Sequence, residues 1–204
     1  MIRPVALFDF DNTVASGDSI ARLLSYDLKK HPWHIFYFIM VAIYYLGYLL
    51  HLESFEKAKS MLLFPLDYMS DQELENFYHQ CVEVHYYPHI VEEMQRKKDE
   101  GYVVILCTAS CEVYMQYNQL PIDQLLGTMT EYHGHPSRHI VGKNCKNEEK
   151  ISRILTYLKG QNIEIDYENS YGYSDSDSDL PMLSLVKHKK RILLKSGQIT
   201  NFDE

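Results

Sequence analysis

Four short stretches of this chain carry side chains that do chemistry when they are brought together. Asp9 and Asp11 stand two apart where the apolar run PVALF ends. Two carboxylates held close repel each other, and a hard, oxygen-preferring ion such as Mg²⁺ removes the conflict. The plainer use of the same pattern is a solvated turn with a capping acid. Thr108, in VVILCTAS, follows a second apolar run. With Ala109 and Ser110 it offers a hydroxyl and backbone N–H groups of the kind a phosphoryl oxygen needs, although Thr and Ser are also ordinary turn residues. Asp175, Asp177 and Asp179 crowd the segment YSDSDSDLPML. Acids this dense are costly without a nearby cation or lysine. An EF-hand loop is excluded, because its sixth position is Leu180 and its twelfth Val186 rather than Gly and Glu. Lys150 completes the set. If Asn147 caps a helix over 147–160, Lys150 falls at the third helical position, where the dipole disfavours a cation and capping favours Glu or Gln. Such a local mismatch marks function. Lys146 is a neighbour that could serve instead, and a plain surface lysine is the other reading.

These residues need elements to hold them. Residues 4–8 and 102–107 are short apolar runs that read as buried strands of a parallel sheet, the second preceded by Gly101 as a helix C-cap. Residues 170–173 and 191–194 are further strand candidates. Ile151, Ile154, Leu155 and Leu158 recur at helical spacing between them. Strands alternating with helices predict an α/β fold, a Rossmann-like and mainly parallel sheet. Residues 15–98 break that rhythm. Their patterns are helical, with Leu74, Phe77, Tyr78, Cys81, Val82 and His85 in one stripe, so they read as a helical cap inserted after the first strand. The expected organisation is a core of residues 1–14 and 99–204 with a cap of 15–98. Within the cap, residues 33–50 carry no Asp, Glu, Lys or Arg. That just reaches the length of a membrane span, but a lone span would separate the two parts of the core. A buried cap helix or an oligomer contact, such as a homodimer, is the favoured expectation, with contact to a membrane surface as the alternative.

The bulk composition narrows the class. The 204 residues suffice for one core and a modest insertion. A net charge of −8 makes nucleic acid a poor candidate for the natural partner. The four cysteines form no CxxC pair and no zinc pattern, which fits reduced thiols in a cytoplasmic protein. The N-terminus does not read as a signal peptide.

In their order, DFDNT (9–13), the strand ending in Thr108, a lysine near 150 and SDSDSD (174–179) resemble the four motifs of haloacid-dehalogenase superfamily phosphatases. The resemblance covers the whole chain. It is closest to the phosphoserine-phosphatase-like subclass, including hydrolases of the subfamily IB type, which carry a helical cap between the first and second motifs. It implies a Mg²⁺-dependent phosphomonoester hydrolase in which Asp9 is the nucleophile that becomes phospho-aspartate and Asp11 the general acid and base. Mg²⁺ would be held by Asp9, Asp11 through its carbonyl, and Asp175. Thr108 would bind a phosphoryl oxygen, Lys150 balance charge, and Asp179 orient the lysine or an ion-bound water. Ser110 and Asp18 fall where substrate would bind. Asp18 replaces the subclass's glutamate, and the cap has no Arg between Arg22 and Arg96, which argues against phosphoserine itself. A Tyr-rich cap favours a small phosphate ester bearing an amine. A phosphotransferase, or a slow phosphorylatable switch, would use the same residues.

Overall fold

The protein is described by a computed structural model covering residues 1–202. The first sheet element, β1 (Ile2–Arg3), leads into β2 (Val5–Phe8), four residues without exposure. Helices α1 (Ser19–Lys30), α2 (Tyr37–Leu49), α3 (Phe55–Leu62), α4 (Asp71–Phe77) and α5 (Pro88–Asp99) follow before β3 (Val103–Cys111). After a short α6 (Glu112–Met115) come β4 (Gln124–Thr128) and a hairpin of β5 (Thr130–Tyr132) and β6 (Pro136–Ile140). The chain ends with α7 (Glu148–Gly160), β7 (Glu164–Ile165), β8 (Tyr171–Ser174), α8 (Leu180–Leu183), β9 (His188–Ile192) and β10 (Ile199–Asn201).

Six strands form the main sheet in the order β10-β9-β8-β2-β3-β4, all parallel except the β9–β10 pair. This is the expected α/β architecture. The chain builds outward from β2 in both directions, so β2 is where the strand order reverses, and open sheets bind ligands at the carboxyl ends of such strands. The two-residue alternation of β2 splits the core. Val5 and Leu7 pack with Ile105, Ile154, Leu158 and Leu183, while Ala6 and Phe8 face a cluster that runs into Leu23, Leu66 and Phe77 of the helical insertion. One apolar cluster therefore joins sheet and insertion. On the opposite face α8 comes so close that a Cβ at Gly172 would lie 2.6 Å from Leu183 Cδ2.

The insertion hangs on a neck. Ala15 pairs with Tyr86, Ser16 N–H donates to His85 O, and Tyr87 N–H donates to Val14 O. Beyond this neck α5 rests on the sheet: Ile90 and Met94 are buried with Ala6 and Phe8, and Tyr173 donates to Glu93. The expected cap of 15–98 is thus too long at its C-terminal end. Pro88 starts a helix that belongs with the sheet, because its apolar face matches the strands. The predicted stripe over 74–85 is also not one helix. It passes from α4 through a wide π turn at Tyr78–Val82 into a 3₁₀ turn, although Leu74, Phe77, Tyr78 and Val82 are buried as the spacing implies.

Other expectations change in detail. The strand expected at 191–194 is His188–Ile192, aligned by Tyr171↔His188. The second apolar run does not stop at Cys107; β3 continues to Cys111 with a register shift. Thr108 and Ser110 accordingly lie in the irregular end of a strand rather than beyond it. Asn147 precedes α7 in a left-handed conformation, with φ 51°, and its side chain caps nothing. Residues 33–50 are not a buried helix: of Pro32–Leu49 only 6% is buried. The hairpin β5–β6 gave no sequence signal. It grips the insertion through Arg138–Asp67, Tyr132–Asp71 and Ile140 N–H to Ser60.

Candidate active site

Asp9 follows β2 directly, and its N–H still donates to Tyr173 O of the neighbouring strand. The chain then turns sharply, with Phe10 O accepting from Thr13, Val14 and Ala15 N–H. Asn12 makes the turn with φ 60°, and its amide oxygen accepts Gly17 N–H. Asn tolerates that left-handed geometry better than most residues, which accounts for its place in DFDNT. Asp9 and Asp11 consequently end on the carboxyl edge of the sheet, beside the ends of β3 and β8.

Lys150 joins three elements. Rooted at the start of α7 and almost fully buried, its Nζ lies 2.6 Å from Asp9 Oδ1 and 2.7 Å from Asp179 Oδ1. Asp179 also accepts from Ser174 Oγ at 2.7 Å. Thr13 Oγ1 accepts Asp175 N–H and stands 3.5 Å from Asp9 Oδ2 and 3.3 Å from Asp175 Oδ1. Asp11 occupies a separate cage of hydroxyls. Ser110 Oγ donates to its Oδ2 at 2.6 Å, Ser19 N–H donates to its Oδ1 at 2.8 Å, and Ser19 Oγ contacts both Ser110 and Tyr114. Thr108 reaches this cage through Ser110, whose N–H donates to the Thr108 hydroxyl.

Burial governs the electrostatics. It pushes the Asp9 carboxyl up to about 7, against the downward pull of Lys150 and with the help of Asp179 and Asp11. Asp11 is pushed up to about 6 by burial, opposed by its Ser110 and Ser19 hydrogen bonds. Burial also raises Asp175. It works to lower Lys150, but Asp9 and Asp179 outweigh it and hold the ammonium charged. Asp9 and Asp179 thus share one lysine, with Asp175 nearby and hydrogen-bonded to Thr13, leaving a surplus of negative charge in a poorly hydrated place. Oxygen-only donors with surplus charge suit a hard divalent cation such as Mg²⁺, so the residues present fit the ion that the sequence implied. Asp27, His31 and His34 gather elsewhere, at the far end of α1, with mixed nitrogen and oxygen donors. There Asp27 accepts from both imidazoles.

Of the residues singled out in the sequence, Asp9, Asp11, Thr108, Ser110, Lys150, Asp175 and Asp179 converge. Asp18 stands at their edge: it is exposed and accepts Ala21 N–H as the N-cap of α1, while its charge helps to raise Asp11. Two lie apart. Asp177 pairs with Arg191 outside the acid cluster, and Lys146 is exposed. Lys59 went unread. It is buried between insertion and core, and its Nζ donates to Ala109 O and to Asn144 Oδ1, both at 2.6 Å. Burial lowers its pKa, and Cys111, Asp11 and Asp18 oppose that. FEKAKSML looks like a charged surface helix, so nothing in it distinguishes Lys59 from Lys57.

Fold and site together define a class: a mainly parallel α/β sheet with a helical insertion after its first long strand and an acid–lysine cluster at the carboxyl ends of the strands. The chain belongs to the haloacid dehalogenase-like hydrolase family, whose model matches residues 6–184. A histidinol-phosphatase of Neisseria meningitidis is 28% identical over 91% of this chain and 88% of its own. Among solved structures, a protein of unknown function from Bordetella pertussis superposes with a TM-score of 0.73 at 22% identity, covering 93% of this chain and 89% of that one. A phosphoserine phosphatase held as a phospho-aspartyl intermediate analogue gives 0.63 at 16% identity, covering 93% and 86%. The structural likenesses establish a shared fold.

Proposed function

We propose that this chain is a Mg²⁺-dependent phosphomonoester hydrolase that works through a phospho-aspartate on Asp9. The observation that carries this reading is Lys150, buried between Asp9 and Asp179 beside the caged Asp11. Lys150 holds Asp9 Oδ1, which leaves Oδ2, with only a long contact to Thr13, to attack phosphorus. A bond forms from Oδ2 to phosphorus while the ester oxygen leaves. Asp11, its carboxyl raised toward neutrality, gives that oxygen a proton. In the second step Asp11 takes a proton from water as the water oxygen bonds to phosphorus, and the Asp9–phosphorus bond breaks to release phosphate. Asp9, the Asp11 carbonyl and Asp175 would hold Mg²⁺, which supplies charge for the phosphoryl oxygens. Thr108 would donate to a phosphoryl oxygen, and Lys150 offsets the charge on Asp9.

The substrate we propose is a small phosphate ester bearing an amine. The names histidinol-phosphatase and phosphoserine phosphatase both denote such esters, and Asp18 presents an acid at the exposed start of α1. The first test is hydrolysis of an aryl phosphate with and without Mg²⁺. Asp9→Asn is expected to lose several orders of magnitude in kcat, as loss of a covalent nucleophile does; activity surviving in that variant overturns the reading. A panel of amine-bearing and amine-free phosphate esters tests the substrate class, and preference for a sugar phosphate rejects the amine.

A further inference from the structure

The second helix is inside out. Pro32–Leu49 has a mean hydropathy of 1.3, and Ile35, Phe36, Ile39, Ile43, Leu46 and Leu49 are each more than half exposed. The half-covered face is the one with hydroxyls. Tyr37 stacks on Phe64 at 4.8 Å, and Tyr48 meets Phe55 edge-on at 5.5 Å. A helix that covers the core of a protein in water shows the reverse arrangement.

The surroundings say what covers this face. The helix does not cross a bilayer, because both its ends are tied to the same side of the molecule. His34 is pinned to Asp27 of α1, and the chain turns back at once, with Leu52 N–H bonded to Gly47 O and α3 running alongside. Cations flank it in a protein whose net charge is −8. Lys29 and Lys30 end α1 just before it. At the other end, a groove of about 590 Å³ places Tyr48 and Phe55 beside Lys143 and Lys146, and a second places Tyr44 beside Lys57 and His139. Of the acids in the first groove, Glu56 accepts Asn144 N–H, Glu149 pairs with Arg153 and Glu148 is exposed. Lys30 and Lys57 pair with Glu73 and Glu53, so Lys29, Lys143 and Lys146 are the cations that count toward an outside partner. Trp33 stands at the start of the aliphatic stretch and Tyr45 within its last two turns, both more than half exposed. Trp and Tyr gather where hydrocarbon meets headgroups.

We propose that α2 docks on the surface of an anionic lipid bilayer, lying in its plane with the aliphatic face in the acyl boundary and the flanking lysines toward the headgroups. This rests on the outer face of α2 alone and is independent of the chemistry at Asp9.

The full chain should be floated with phosphatidylcholine vesicles, with and without phosphatidylglycerol. Trp33, the sole tryptophan, reports binding by a blue shift in emission. Wild type is expected to bind the anionic vesicles at least tenfold better, less so in high salt. The triple variant Ile39→Ser, Ile43→Ser, Leu46→Ser should lose binding while keeping its circular dichroism and aryl-phosphatase rate. Lys143→Gln with Lys146→Gln should weaken binding to anionic vesicles alone. Absence of wild-type binding to both vesicles overturns the proposal, as does binding unchanged in the triple variant. A concentration-dependent dimer in wild type that the triple variant turns into a monomer, without vesicle binding, assigns the face to a second copy and overturns it too.

Discussion

Asp11 and Asp9 are both acids at the edge of one sheet, yet they are held by different groups. Asp9 faces an ammonium, whereas Asp11 is surrounded by hydroxyls and one backbone N–H. Ser110 favours the charged form of Asp11 and opposes burial. Ser110→Ala should therefore raise the Asp11 pKa above that of wild type, and the limb of the pH–kcat profile that reports Asp11 should move to higher pH. A limb that stays in place or moves down would assign that titration to another group. The sequence made most of this centre legible, because Asp9, Thr108, Lys150 and Asp175 each sit at an abrupt end of an apolar run or at a misplaced helix position. At Asp18 it was ambiguous, because a capping acid and a ligand-binding acid have the same local signature, and in the fold Asp18 caps α1. It was silent at Lys59, whose burial depends on contacts with Ala109 and Asn144, far along the chain.

Between elements, Lys59 is the tie that crosses the site. It reaches from α3 of the insertion to the end of β3 and the loop before α7, while the hairpin grips the same insertion through Asp67, Asp71 and Ser60. Lys59→Met would leave Ala109 O without this donor and deprive Asn144 Oδ1 of one of its two. The expected cost is about 1–3 kcal/mol in urea denaturation, with KM raised several-fold and kcat changed less, since Lys59 does not touch Asp9. Unchanged stability together with unchanged KM would show that the tie is idle. The β5–β6 hairpin was illegible for a physical reason: its strands are short and half-exposed, and they are fixed by partners on the insertion rather than by their own alternation.

At the scale of the molecule, the buried acids set how stability responds to pH. Asp9 and Asp11 have folded-state pKa values of about 7 and about 6, raised from 3.8. The folded state then keeps protons that the unfolded chain has already released. Their contribution is fully present below 3.8 and is lost as pH rises through 6 and 7. Glu73, held low by Ser70, works the other way from the surface. In EDTA, the urea midpoint should fall between pH 5 and pH 8, and Mg²⁺ should restore it at pH 8 far more than at pH 5. A midpoint that rises with pH in EDTA would contradict the surplus of buried negative charge.

The neck at Ala15 and Tyr86 has a further consequence. Both ends of the insertion leave the sheet side by side, so what lies between them is, in topological terms, a detachable cassette. A gene for this chain can exchange or redraw that cassette without moving Asp9, Thr108, Lys150 or Asp175 from their strand and helix ends. Selection is then free to change which ester is admitted, and which surface the molecule rests on, while the chemistry at Asp9 is inherited intact.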